Sequence, residues 1–528
     1  MDSDERAHEG GNHRHFSRRK FIAGAAGLSA GAVVGGQLPT VAHAAPEGGL
    51  HGAELRGMFL TSKDPLAEGR FGAMFKRLPA FTPSDDLLTS LAETMVEENT
   101  GDTFLNTNPK LFAGFTFIGQ FIDHDITLDK TPLAQQQADP DAKVNFRTPR
   151  YDLDSVYGRG PQTDSQLYDA SDQDKLLLRT NVNGVLDVPR DSSGGAIIGD
   201  PRNDENLILV QFHKAVAQFH NKIVDYVRSQ GMRSEWVFEA ARRLARWHYQ
   251  WAVIHDFIPR MTSDPRKTVD DFVGNGGSVY KEVAGKAPVI NLQYYKPTNK
   301  DGRPFMPIEF AVAAYRFGHS LIRPFYVLRG TRTVDIFGPA DGFNLNGGRP
   351  IPADLEIEWK NILPVDPTFP ARPPRKIDTK LSFPLKTLPG SAVPPPDPTI
   401  HLAVRNSLRG KRVGLPSGQQ VAKAMRVTAL TKTDLGLTDS KWDGFNGEAP
   451  LWYYILKEAE RAPYNGERLG PVGGRIMAET LVGLLQRDPN SYLYLDPSWK
   501  PTTPIANPTT GKFEFSDLLK FAGAAPPA

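Results

Sequence analysis

The chain has 528 residues, of which 40% are hydrophobic, and a formal net charge of +2. That length supplies a large core, and the near-neutral balance gives no bulk electrostatic reason to expect nucleic acid or an anionic membrane surface as partner. Cysteine is absent, which excludes disulfides, a thiolate metal ligand, iron–sulfur clusters and cysteine nucleophiles.

Residues 1–44 read as a targeting segment. Ser17-Arg18-Arg19-Lys20-Phe21-Ile22 fits a twin-arginine pattern, a small-residue apolar stretch Ala23–Gly36 follows, and Ala42-His43-Ala44 offers an Ala-X-Ala cleavage site. The stretch is shorter and richer in glycine than the ~20 apolar residues a membrane span requires. No later run is long enough either, so no integral membrane span is expected. The expectation is export by the twin-arginine machinery to a secreted or periplasmic location, with residues 45–528 forming one domain.

Helical periodicity dominates the remainder. It predicts helices over Leu111–Leu128, Leu207–Arg228, Glu235–His255, Ile308–Leu321 and Gly474–Leu485, while strand-like alternation is sparse. The proline-rich stretch 363–398 excludes long helices and reads as an ordered surface excursion, with an interdomain linker as the alternative. The fold class is therefore mainly α, a single large helical domain with little β-structure.

The most informative segment is Gly119-Gln120-Phe121-Ile122-Asp123-His124-Asp125-Ile126-Thr127, which sets a histidine between two carboxylates in an apolar run. Burying such charge is costly unless a metal, cofactor or ion pair compensates it. On a helix Gln120, Asp123 and His124 share one face, and Asp125 points about 100° away, so one segment can serve two sites. The plain alternative is a helix end with capping carboxylates. Gly199-Asp200-Pro201-Arg202-Asn203-Asp204-Glu205 reads as a capped helix start that puts Arg202 and Glu205 on one face. In Thr148–Gly158, oxygen donors alternate at Thr148, Arg150 (main chain), Asp152 and Asp154, as a hard cation prefers, although alternating acids are commonly a solvated loop. Of the remaining histidines, His213 and His220 lie on one helix face and read as satisfied interior residues.

Gly119–Thr127 resembles the distal-helix signature of the animal-type haem peroxidases, the superfamily that includes myeloperoxidase, lactoperoxidase and peroxidasin. Four further segments match in the family's order, from about Phe71 to Leu495. The resemblance implies haem b as cofactor, with His124 as the base that takes the peroxide proton, Gln120 beside it and Arg202 as the stabilising cation. Asp123 and Glu205 take the positions that esterify haem methyl groups. Asn206 stands where myeloperoxidase has its sulfonium-forming methionine, which favours bromide, iodide, thiocyanate or phenols over chloride as reductant.

Ala314-Tyr315-Arg316-Phe317-Gly318-His319 resembles the proximal helix and makes His319 the iron ligand. Asn406 would be its hydrogen-bond partner, and Arg316 and Arg409 would meet haem propionates. After Asn406 the match loosens, since the family's Arg-Asp-His becomes Lys411-Arg412-Val413. The family's calcium loop implies Asp125, Thr148, Arg150, Asp152 and Asp154 as ligands. The implied activity is a peroxidase that uses hydrogen peroxide and serves the response to oxidative stress. The alternatives are a fatty-acid dioxygenase, whose tyrosine three residues before the proximal histidine is here Arg316 with Tyr315 one position earlier, and a non-catalytic extracellular interaction protein.

Overall fold

Helix α1 (Asp85–Glu93) starts where Ser84 accepts from the Leu87 amide, and α2 (Gly114–Ile126) starts without a side-chain cap. Nearly every residue of α2 is buried, which explains why packing rather than capping fixes it. Helix α3 (Leu207–Ser229) begins at Asn206, whose side chain accepts from the Leu209 amide at 2.8 Å. It packs against α2, against α4 (Val237–Ala252), and against α8 (Phe515–Phe521) near the C-terminus. Between them lie α5 (Leu402–Arg412), α6 (Leu451–Glu460) and α7 (Pro471–Arg487), with α5 against α1, and α6 and α7 against each other.

This computed structural model describes residues 71–98, 106–128, 149–262, 272–274, 277–296, 304–339, 342–389 and 400–526. The chain divides into units Met1–Glu47 and Gly48–Ala528, and the first falls entirely outside the described residues. The twin-arginine segment, its cleavage site at Ala44 and Thr148 also fall outside them.

The fold is mainly α, as expected, with sheets of two or three short strands among the described residues. One helical prediction needs correction. The periodic run Ile308–Leu321 is a short α-helix, Ile308–Ala311, followed by a 3₁₀ segment, Ala314–Leu321. Ala313 breaks it at φ −129° and ψ −71°, outside helical space, with no glycine or proline to announce the break. The run Glu235–His255 is helical throughout, as expected, with α4 passing at Ala252 into a π-helical segment, Val253–Phe257.

The described part of the proline-rich stretch carries no long helix, only a 3₁₀ turn at Phe383–Lys386. It is not a surface excursion throughout, because Ile377, Leu381 and Leu385 are fully buried. Proline removes backbone donors but leaves apolar side chains free to pack, so this segment contributes core without regular structure.

Candidate active site

Helix α2 and the 3₁₀ segment Ala314–Leu321 face a common cavity of about 310 Å³. Gln120, Asp123 and His124 contribute from α2, Arg316, Gly318 and His319 from the 3₁₀ segment, and Glu205 from the turn ahead of α3. The two elements are tied directly, since Tyr315 Oη donates to the Gly119 carbonyl at 3.0 Å. A Cβ on Gly119 would lie 3.2 Å from the Phe257 ring, so a larger residue there would require that ring to shift. The expected helical face is therefore realised, and Asp125 does point elsewhere.

His124 is buried, and its Nδ1 lies 2.9 Å from Asn203 Oδ1. An amide oxygen can only accept, so Nδ1 carries the proton and Nε2 carries the lone pair. Asn203 in turn donates from Nδ2 to His213 Nδ1 at 3.1 Å. Sequence reasoning missed Asn203, while His213 is the satisfied interior histidine it was read as. Gln120 Nε2 donates to Glu205 Oε2 at 3.2 Å and its Oε1 accepts from Asn206 Nδ2 at 3.2 Å.

Asp200 begins the turn as expected, accepting from the Arg202 amide at 3.0 Å ahead of a 3₁₀ turn, Pro201–Asp204. The Arg202 guanidinium is not part of the described cavity lining. Its Nη2 donates to Asp200 Oδ2 at 2.8 Å and to the carbonyls of His124 at 2.9 Å and Thr127 at 2.8 Å, where α2 ends. Its charge still reaches the cavity carboxyls. Burial raises Glu205 to about 7 and raises Asp123 above the usual carboxylate range, and Arg202 is the main influence opposing both. Glu205 has protein on nearly every side while its side chain stays open to the cavity space.

On the other wall, burial and then the nearby charges of Arg316 and Arg405 push His319 down to about 3, so its ring is neutral at ordinary pH. Asn406 Nδ2 donates to His319 Nδ1 at 2.8 Å, and Asn406 Oδ1 accepts from Arg316 Nη1 at 3.2 Å. Iron ligation through Nε2 calls for the amide turned over, with oxygen toward Nδ1–H; that turns Nδ2 toward the donor-only Arg316 guanidinium, so the hydrogen bond between Asn406 and Arg316 would be given up. Arg409 is half-buried in the last turn of α5.

The residues present fit a haem. The cavity offers a neutral imidazole, walls that include Phe115, Phe117, Leu321 and Leu385, and Arg316 as a cation on the rim.

Asp125, Asp152 and Asp154 form a second cluster, with one carboxylate oxygen from each within 4.8 Å of the others. Asp125 and Asp154 are buried. The loop is drawn tight around them, with Ser155 Oγ donating to Asp125 Oδ1 at 3.4 Å and the Leu153 amide to Asp125 Oδ2 at 3.3 Å. Leu153 is held at φ 55°, a left-handed conformation costly for a branched side chain. Gly199 presses on the same loop, for a Cβ there would lie 2.6 Å from the carbonyls of Asp154 and Ser155. Three carboxylates this close and this dry fit a hard divalent cation such as calcium. The Arg150 side chain lies 3.9 Å from Asp488.

Of the other histidines, His220 is a satisfied interior residue, with Nδ1 at 3.0 Å from Tyr157 Oη and Nε2 donating to the Asp174 carbonyl at 2.8 Å. His255 stacks on Trp251.

A helical frame with a neutral imidazole and paired carboxyls on one apolar cavity has the layout of a haem-binding protein. The sequence profile of the animal haem peroxidases matches residues 129–436, over half of the chain, beginning just after α2. The chain belongs to the animal haem peroxidase family, and haem is the cofactor that membership implies. It is similar to heme peroxidase 2 of Caenorhabditis elegans, with 28% identity over 127 residues that cover 24% of this chain. That match spans 16% of the relative's own length. Peroxidase A from Dictyostelium discoideum has a similar fold, with a TM-score of 0.55 and 17% identity, covering 81% of this chain and 88% of that one. The fatty acid alpha-dioxygenase of Arabidopsis thaliana is similar to nearly the same degree, with a TM-score of 0.54 and 15% identity over 84% and 76% of the two chains. Fold likeness alone thus does not separate the two chemistries.

Proposed function

We propose that this chain is an exported haem peroxidase that uses hydrogen peroxide to oxidise bromide, iodide, thiocyanate or phenolic donors. The reading rests on one observation above others, that His124 and His319 line the same cavity together with Asp123 and Glu205. When bound, the haem would supply an iron that takes up the two oxidising equivalents of hydrogen peroxide and passes them to the reductant. His319 would hold the iron through Nε2. Asp123 and Glu205 are the carboxyls that would form esters at the haem rim, and Arg316 and Arg409 would take its propionates.

His124 Nε2 takes the proton from one peroxide oxygen and returns it to the departing one. Arg202 acts through its charge on the developing anion, and Gln120 orients the oxygen species beside the base. Calcium on Asp125, Asp152, Asp154, Thr148 and the Arg150 carbonyl would anchor the end of α2 and so aim the neighbouring His124. Export rests on the twin-arginine segment and Ala42-His43-Ala44, and no helix among the described residues is long and apolar enough to cross a membrane.

The dioxygenase reading is favoured by one feature, Tyr315 on the cavity wall. Its hydroxyl, however, is committed to the Gly119 carbonyl. Stopped-flow recording of the Soret band separates the two. Peroxide should bleach the band rapidly, and bromide should return it directly. A band that ignores peroxide, in protein that consumes oxygen when given a fatty acid, would instead establish the dioxygenase.

A further inference from the structure

We infer that Asn203 and His213 are positioning residues that hold the distal histidine, His124, in the tautomer able to act as a base. The inference rests on the peroxidase reading above and adds to it the device that keeps the base competent.

A neutral imidazole has one N–H and one lone pair, and which nitrogen carries which is set by its fixed hydrogen bond. For His124 that bond is to Asn203 Oδ1 at 2.9 Å. If the Asn203 amide turned over, its Nδ2–H would face His124 Nδ1, and the ring proton would move to Nε2. The nitrogen needed to take a proton would then already hold one.

His213 opposes that reversal when its own proton sits on Nε2. It is fully surrounded by protein, with Phe121 packed edge-on, and burial pushes it down to about 4, so it stays neutral. In the tautomer with Nε2–H, its Nδ1 accepts from Asn203 Nδ2, 3.1 Å away, and so fixes the amide oxygen toward His124. Asn203 has no exposed surface, so water cannot substitute for either partner, and a misplaced group would remain unsatisfied. The chain of three side chains connects α2, the Pro201–Asp204 turn and α3.

The test uses haem-loaded protein and hydrogen cyanide, which must give a proton to the distal base as the anion binds. Wild type should bind cyanide rapidly, and Asn203→Leu should keep its Soret band while cyanide and peroxide association slow by roughly 100-fold, the usual scale of general base catalysis. Asn203→Asp, which can only accept from Nδ1–H, should restore most of the rate. His213→Phe, which frees the amide to turn, should fall between. Ring ¹⁵N shifts of His124 should show Nδ1–H in wild type and a tautomer mixture in His213→Phe. Equal association rates in wild type, Asn203→Leu and His213→Phe would overturn the inference while leaving the peroxidase reading intact, and so would an Asp variant as slow as the Leu variant. Wild-type protein that binds no haem, or haem but no cyanide, would remove the reading beneath it.

Discussion

Removing the calcium proposed for the acidic cluster should cost this protein several kcal/mol. Oxygens of Asp125, Asp152 and Asp154 lie within 4.8 Å of one another. At that distance, and with an effective dielectric of about 20, two unit charges repel by about 3 kcal/mol, so three pairs amount to about 10 kcal/mol. Opening of the loop relieves part of this, and Leu153, held in a left-handed conformation, is where it would give way first. A loss of about 4–8 kcal/mol corresponds to a melting-temperature drop of roughly 5–15 °C in a domain of this size. The assay is calorimetry of the haem-loaded protein in excess calcium and in excess chelator. Asp154→Asn, which removes one charge, should shrink the difference between the two conditions. A melting temperature unchanged to within a degree by the chelator would refute the assignment of the cluster as a cation site.

Two other perturbations follow from the geometry. Arg202→Ala should retain the Soret band yet slow peroxide cleavage by roughly 100-fold, and it should also lower the melting temperature, because the guanidinium holds the carbonyls that end α2; normal cleavage kinetics would dismiss its proposed role. Glu458 accepts from the Val472 and Gly473 amides at the start of α7, and burial still pushes it from 4.5 to about 8. The folded state therefore holds an extra proton between those values, and stability falls as pH rises through that window, by at most about 1.4 kcal/mol per pH unit. Glu458→Gln should gain stability relative to wild type across the same window in denaturant titrations, and a constant difference would count against it.

Much of the frame was legible because α2, α3 and α7 carry long apolar periodicities that packing then satisfies. The site residues on α2 were legible for the same reason, since Gln120, Asp123 and His124 fall on one face by spacing alone. The break at Ala313 was not, because the apolar positions of Ile308–Leu321 continue across it and only tertiary contacts bend the chain. Nor was the direction of the Arg202 side chain, which depends on carbonyls contributed by α2 from 75 and 78 residues away. Asn203 gave no local signal. A buried histidine such as His213 on an apolar helix face is a hint that some polar partner lies opposite, but the sequence does not say which.

The central claim is that His319 holds a haem iron across the cavity from His124. Resonance Raman spectroscopy of the reduced, haem-loaded protein tests it most directly through the iron–imidazole stretching band. The account predicts the band in wild type, its loss in His319→Gly, and its return when free imidazole is added to that variant. A band that persists unchanged in His319→Gly would place the iron on another ligand and contradict the account.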